Sequence, residues 1–254
     1  MANIQFSSAQ ESHDHSLETL NHLYNYDDFM LSIDSLCDIG CGINGLDLAW
    51  WASRTTRDDE NPEPLNIKCT GIDTFSELDL VYRVDNIHYK KYDINTEYTD
   101  KETFDVLWCH DTFQYALNPL FTLKQFYNML NDDGMLVIII PQLTNVIFNK
   151  QEFNQFDYMY HNHTIISLIH MLAVSGFDCN AAFFKKLQDD PWLHCVVYKS
   201  THKPMDPTKT RWFDLIDKEL LPKTVVQSIN KYGYARQQDL MLPWLNYSNI
   251  KYCD

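Results

Sequence analysis

The chain has 254 residues, of which 45% are hydrophobic, so it can bury the core of one large domain or of one domain with an extension. Its formal net charge of −15 disfavours non-specific attraction to nucleic acid or anionic lipid, because neutralising phosphates needs clustered Lys and Arg. No secretory signal opens the sequence and no apolar stretch reaches the roughly 20 residues of a membrane span, so we expect a cytoplasmic protein with no membrane partner.

Short apolar runs alternate with helix-like segments through the first half of the chain, a pattern typical of a parallel sheet covered by helices. The predicted strands are residues 35–39, 68–72, 88–92, 104–109 and 135–140. Residues 45–53 and 118–130 keep their apolar positions at helical spacing. Such an α/β order places a ligand at the carboxyl ends of the strands.

The pattern changes in the second half of the chain. A helix over residues 164–174 is expected to end at Gly176 as its C-terminal cap. Residues 179–187 and 194–198 are two strand-like runs joined by the turn-rich QDDPW, which predicts an antiparallel hairpin. The predicted division is an N-terminal helical segment (1–32), a ligand-binding domain (33–200) and a C-terminal helical extension (201–254).

Three of the seven glycines, Gly40, Gly42 and Gly45, lie in the stretch DIGCGING between the first strand and the first helix. This is literally G-x-G-x-x-G, the pattern associated with dinucleotide pyrophosphate sites. Two features disfavour a nicotinamide dinucleotide. The first acidic residue at a strand end, Asp73, lies farther beyond the glycines than the roughly 20 residues expected of an acid that binds the ribose. The carboxylate of Asp38 would also repel a pyrophosphate. A cationic ligand suits Asp38 better.

The stretch DIGCGING resembles the first motif, D/E-x-G-x-G-x-G, of the class I S-adenosylmethionine-dependent methyltransferases, with the last glycine one residue late. The match continues in order with GIDTF, YDIN, FDVLWCHDTFQYALNP and MLNDDGMLVIIIP, and covers about residues 33–200. The resemblance implies an α/β, Rossmann-like, doubly wound fold. Its sheet would have seven strands, mostly parallel, with an antiparallel C-terminal hairpin, and its cofactor would be S-adenosylmethionine.

The resemblance also implies how the cofactor is held. Asp38 would hold its ammonium group, Asp73 its ribose hydroxyls, and Asp93 with Ile94 its adenine, while the carbonyl of His110 would accept from its amino group. The expected cofactor-binding residues are Asp38, Gly40, Cys41, Gly42, Gly45, Asp73, Asp93, Ile94 and His110. Three plainer interpretations stay open: a merely tight turn at the glycines, a helix N-cap at Asp73 and a solvated turn at Asp93.

Methyl transfer from a sulfonium depends mainly on positioning, and a base is needed only when the acceptor carries a proton on the attacking atom. The candidate catalytic residues are Asp111, His161 and His163. The sequence departs here from the family pattern, because Asp111 stands where many relatives have a histidine and Gln114-Tyr115 replaces the usual Glu-His pair. A structural role for His163 is the alternative. We expect no metal site, because the H-x-H pair lacks further ligands and the cysteines are scattered.

The expected acceptor is a small molecule or a saccharide, methylated at oxygen. The chain lacks the [D/N/S]-P-P-[Y/F/W] tetrapeptide of amino-group DNA methyltransferases and the Pro-Cys pair of cytosine-C5 enzymes. Nucleic acid is therefore a disfavoured partner. Two other classes of protein stay open: a non-catalytic module that keeps the fold for binding or assembly, and, less favoured, a nicotinamide-dependent oxidoreductase.

Overall fold

The computed structural model describes residues 9–26, 28–58, 60–79, 86–141, 161–186 and 192–235. Within these residues seven strands form one sheet. They are β1 (Ser35–Ile39), β2 (Lys68–Asp73), β3 (Ile87–Lys91), β4 (Phe104–His110), β5 (Leu130–Pro141), β6 (Phe177–Lys186) and β7 (Trp192–Lys199). The order across the sheet is β3-β2-β1-β4-β5-β7-β6.

The first five strands run parallel, with Cys37 of β1 facing Thr70 of β2 on one side and Leu107 of β4 on the other. Strand β7 then pairs antiparallel with both β5 and β6. The predicted doubly wound, mostly parallel seven-stranded sheet with an antiparallel hairpin is confirmed. The strand order reverses between β1 and β4, and a crevice for a ligand forms at such a point.

Helices cover both faces of the sheet, and the strands supply side chains to each face in alternation. The helices are α1 (Ala9–Tyr26), α2 (Leu46–Ala52), α3 (Pro119–Met129), α4 (Ile165–Val174), α5 (Trp212–Asp217) and α6 (Lys223–Tyr232). Val106 and Trp108 of β4 pack into the apolar cluster shared with α1 and α2, whereas Leu107 and Cys109 pack into the cluster shared with the other four helices. In the described part of the chain, none of these helices is both long and apolar enough to cross a membrane.

Local sequence explains where the helices begin and end. The Asn118 side chain accepts a hydrogen bond from the amide of Phe121, and Pro119 occupies the first turn of α3. Thr164 and Ser167 form a reciprocal capping box at the start of α4. Gly176 follows α4 with a φ of 91°, the left-handed conformation that a glycine after a helix adopts readily. The predicted end of this helix is therefore confirmed.

Element boundaries differ from the sequence-based expectations by a few residues. Strand β5 begins at Leu130, directly after α3, where the prediction began it at residue 135. Strand β6 begins at Phe177, immediately after the helix-ending Gly176, rather than at residue 179. The linker 142–160, the hairpin turn 187–191 and residues 236–254 of the predicted C-terminal extension lie outside the described residues.

Candidate functional site

A cavity of about 530 Å³ opens at the carboxyl ends of the parallel strands, at the reversal of strand order. It is lined by residues from the ends of four strands and from the loops that follow them. All nine predicted cofactor-binding residues are among these lining residues: Asp38, Gly40, Cys41, Gly42, Gly45, Asp73, Asp93, Ile94 and His110. The fold thus brings to one place residues that are far apart in the sequence.

The three glycines of the loop after β1 all have positive φ, but their surroundings differ. A Cβ placed on Gly40 would lie 1.8 Å from Oγ1 of Thr112, so the packed side chain of Thr112 leaves no room for a side chain there. A Cβ on Gly42 would meet nothing within 4 Å, because this residue borders the open cavity. Gly45, at a φ of 52°, is the N-cap of α2 and offers no side-chain cap to the helix's first amides.

Asp38, at the end of β1, is only 2% exposed, and its Oδ2 has no hydrogen-bond partner among the described residues. Burial, followed by the nearby carboxylates of Asp47 and Asp73, raises the pKa of Asp38 well above its usual value, and the backbone amide of Leu48 opposes this shift. A buried, unpaired carboxylate oxygen is costly unless a cation or a proton joins it. Since all three carboxylates line the cavity, the site is electrostatically suited to a cationic ligand.

Asp73 ties the glycine loop to the end of β2. Its Oδ2 accepts a hydrogen bond of 2.9 Å from the amide of Gly42, and its Oδ1 accepts one of 2.6 Å from the amide of Thr74. Residues 74–77 form bends and residues 78–79 are not helical, so Asp73 is not a helix N-cap. Each carboxylate oxygen has more than one acceptor position, which leaves capacity for a ligand hydroxyl.

Asp93 and Ile94 form the edge of the cavity that follows β3. Asp93 is exposed, and its Oδ1 accepts a hydrogen bond of 2.9 Å from the amide of Asn95, the local bond expected of a turn aspartate. Ile94 is buried, and its carbonyl accepts a hydrogen bond of 3.3 Å from Oγ1 of Thr122. A turn role for Asp93 and contact with a flat ligand are compatible, because only one carboxylate oxygen makes this local bond.

His110 enters the cavity from the end of β4, and its side chain has a partner that the sequence analysis missed. Its carbonyl accepts a hydrogen bond of 3.0 Å from Oγ1 of Thr112, while its ring Nδ1 lies 3.0 Å from Oδ2 of Asp47. Asp47 also accepts from Oγ of Ser16 at 2.7 Å and from Nε1 of Trp108 at 2.8 Å. An acid in the first turn of a helix is ordinary. Nothing local therefore marked Asp47 as a site residue.

The structure places one of the three candidate catalytic residues at the cavity. Asp111 lines it in a left-handed conformation, with Oδ1 accepting a hydrogen bond of 2.5 Å from Nε2 of Gln114. His161 and His163 are not among the lining residues. The ring of His163 is stacked between Phe113, at 5.3 Å, and His161, at 5.7 Å. Burial, and then the charge of His161, lowers the pKa of His163 to about 4.

A family model described as a methyltransferase domain matches residues 11–176, well over half of the chain. The chain belongs to the methyltransferase domain family. The predicted membership of the class I, S-adenosylmethionine-dependent methyltransferases is thus confirmed, and the matched segment of this methyltransferase domain includes every residue that lines the cavity. Comparison with curated protein sequences finds no match.

Solved structures of S-adenosylmethionine-dependent methyltransferases share this fold. One from Mesorhizobium loti has 12% identity and a TM-score of 0.53, over 73% of this chain and 98% of its own. Human N-acetylserotonin methyltransferase, in complex with S-adenosylmethionine, has 14% identity and a TM-score of 0.51, over 76% and 56%. Haemonchus contortus phosphoethanolamine N-methyltransferase 2, in complex with the same ligand, has 13% identity and a TM-score of 0.55, over 78% and 59%. At these identities the similarity shows the fold alone.

Proposed function

We propose that this chain is an S-adenosylmethionine-dependent methyltransferase that acts on a small molecule or a saccharide, at oxygen. The observation that carries the proposal is the buried Asp38, whose Oδ2 has no partner among the described residues, in a cavity lined by four further aspartates. S-adenosylmethionine carries a sulfonium and an ammonium, which such a cavity stabilises. The pyrophosphate of a nicotinamide dinucleotide would add negative charge to it.

The lining residues fit the parts of this cofactor. In the proposal, Asp38 takes the ammonium, and the loop of Gly40, Cys41, Gly42 and Gly45 leads to the first amides of α2, which favour a carboxylate. Asp73 accepts from the ribose hydroxyls in charge-assisted hydrogen bonds. Asp93 and Ile94, on the other side of β2, border the adenine. The bound cofactor supplies an electrophilic methyl group, and the protein's part is to orient it and its acceptor.

The proposed acceptor follows from the size and charge of the site. A cavity of about 530 Å³ lies within the range of small-molecule sites. The net charge of −15 disfavours a polyanionic substrate. The comparison proteins named for N-acetylserotonin and phosphoethanolamine are consistent with small acceptors in this fold. Asp111 lines the cavity beside the end of β4 and is proposed to contact the acceptor, whose hydroxyl proton must leave as the methyl arrives.

The test is methyl transfer from S-adenosylmethionine with a labelled methyl group, using fractions of a small-molecule extract and a set of saccharides as acceptors. We expect one fraction to gain label in proportion to the S-adenosylhomocysteine formed, and Asp38→Asn to abolish most of the transfer at low cofactor concentration. A chain that binds the cofactor yet labels no fraction would support the non-catalytic module. A chain that binds only NAD would support the oxidoreductase.

A further inference from the structure

His110 has a buried ring nitrogen that no described residue satisfies. Its side chain is 6% exposed, its Nδ1 is paired with Asp47, and the ring of Trp192 packs against it edge-on at 5.4 Å. Its Nε2 is buried and has no hydrogen-bond partner among the described residues. Buried polar atoms normally have a partner, and because His110 lines the cavity, a bound ligand is the candidate partner of Nε2.

The partners of Asp47 decide which ring nitrogen of His110 carries the proton. Oδ2 of Asp47 accepts from Nε1 of Trp108, which can only donate, and Oδ1 accepts from Oγ of Ser16. An ionised carboxylate only accepts, so the hydrogen bond to Nδ1 requires the proton on Nδ1. In the neutral tautomer with the proton on Nδ1, Nε2 is the hydrogen-bond acceptor of the ring. Asp47 is in this way a positioning residue, and the N-terminal helix completes its hydrogen bonds through Ser16.

The strand order places His110 at one end of the cavity. Across the sheet, β3 leads to Asp93, β2 to Asp73, β1 to Asp38, and β4 to His110. The adenine end of the proposed cofactor, at the end of β3, therefore lies three strands away from His110. The amino-acid end and the sulfonium lie on the side of His110, which is the side on which an acceptor has to approach the methyl group.

We propose that Nε2 of His110 is the proton acceptor of the transfer, and that the acceptor molecule therefore attacks through an oxygen or nitrogen that carries a proton. This proposal rests on the proposed function. As that atom bonds to the methyl carbon, the carbon–sulfur bond breaks with its electron pair passing to sulfur. The proton passes to Nε2, so neutral S-adenosylhomocysteine and the methylated acceptor leave with one imidazolium on the enzyme. No oxidant, reductant or further reactant is needed.

The test needs no identified acceptor, because sinefungin carries a primary amine where the sulfonium methyl stands. We expect the protein to bind sinefungin at least about tenfold more tightly than S-adenosylhomocysteine, through a charge-assisted hydrogen bond from this amine to Nε2. In His110→Ala the ratio of the two affinities should fall to about one. His194→Ala is the matched control, since His194 is equally buried but does not line the cavity, and it should keep the preference.

Three outcomes would overturn the inference. They are equal affinities in the unmodified protein, a preference that survives in His110→Ala, and a parallel loss of both affinities, which would place Nε2 on the amino-acid end that the two ligands share. A protein that binds neither ligand would refute the proposed function itself, and this inference with it.

The tautomer is measured separately on the unmodified protein, by nitrogen-15 NMR of labelled histidines. We expect His110 to carry its proton on Nδ1, and Asp47→Asn to move that proton toward Nε2 and remove the sinefungin preference. Thr19→Val is the control, because Oγ1 of Thr19 bonds Nδ1 of His194 at 2.8 Å from the same helix as Ser16. It should alter the signals of His194 and leave those of His110. A proton on Nε2 of His110 in the unmodified protein would contradict the proposal.

Discussion

Substitution of single glycines in the loop after β1 should separate folding from ligand binding. In Gly40→Ala the new Cβ would lie 1.8 Å from Oγ1 and 2.6 Å from Cβ of Thr112. We expect a loss of roughly 1–2 kcal/mol for the left-handed backbone and about 1–3 kcal/mol for the overlap. Gly42→Ala carries only the backbone cost of roughly 1–2 kcal/mol, because nothing lies within 4 Å of its Cβ.

Gly40→Ala should be the less stable of the two variants, whereas Gly42→Ala should be the one that loses more ligand affinity. Because Gly42 borders the cavity, a Cβ there should lower S-adenosylhomocysteine affinity by more than tenfold, although the variant loses only the backbone cost of roughly 1–2 kcal/mol in urea unfolding. Gly40→Ala should unfold at clearly lower urea. Combining it with Thr112→Ala should restore only part of the stability, because Cβ of Thr112 remains in the way. Equal destabilisation of the two single variants, or normal ligand affinity in folded Gly42→Ala, would refute this reasoning.

Further predictions concern four charged or titratable residues. Asp73→Ala should weaken S-adenosylhomocysteine binding by about 1.5–3 kcal/mol, the range for hydrogen bonds to charged groups, and unchanged calorimetric affinity in the folded variant would remove its ribose role. His163, with its pKa lowered to about 4 from the ordinary 6.5, favours folding fully above pH 6.5 and progressively less down to pH 4, because the buried ring resists protonation. The free energy of unfolding, measured in urea at pH 7 and at pH 4, should therefore fall by about 3 kcal/mol less in His163→Gln than in the unmodified chain. An equal fall in the two proteins would contradict the lowered pKa. Asp111→Asn, His161→Ala and His163→Ala should each preserve cofactor affinity, and a loss of about 10²–10⁴-fold in turnover in one of them would assign the acceptor's proton to that residue rather than to His110. Normal turnover in all three would return both histidines to a structural role.

Much of the fold could be predicted because it depends on patterns of residues that are close together in the sequence. The short apolar runs predicted β1, β2 and β4, and the glycine stretch predicted the turn after β1 that lines the cavity. What could not be predicted depends on residues distant in sequence. The need for glycine at position 40 comes from Thr112, and the role of Asp47 comes from Ser16 and His110. These contacts exist only after the sheet has formed, so no local spacing indicates them.

The candidate catalytic histidines show the same limit. The sequence makes His161 and His163 candidates because their H-x-H pair follows the fifth predicted strand, but it does not indicate where their rings lie. In the structure the ring of His163 stacks on Phe113 and on His161, and His163 is buried. The position of His163 depends on packing against Phe113 in the turn that follows β4, and no sequence pattern indicates this contact.

Calorimetric titration of the protein with S-adenosylmethionine, S-adenosylhomocysteine and NAD tests the central claim most directly. We predict micromolar dissociation constants for the first two and no heat from NAD, because the carboxylates of Asp38, Asp47 and Asp73 surround the cavity. In Asp38→Asn both dissociation constants should rise by about 10- to 150-fold, the equivalent of one hydrogen bond to a charged group. Heat from NAD alone, or affinities that do not change in Asp38→Asn, would contradict the account.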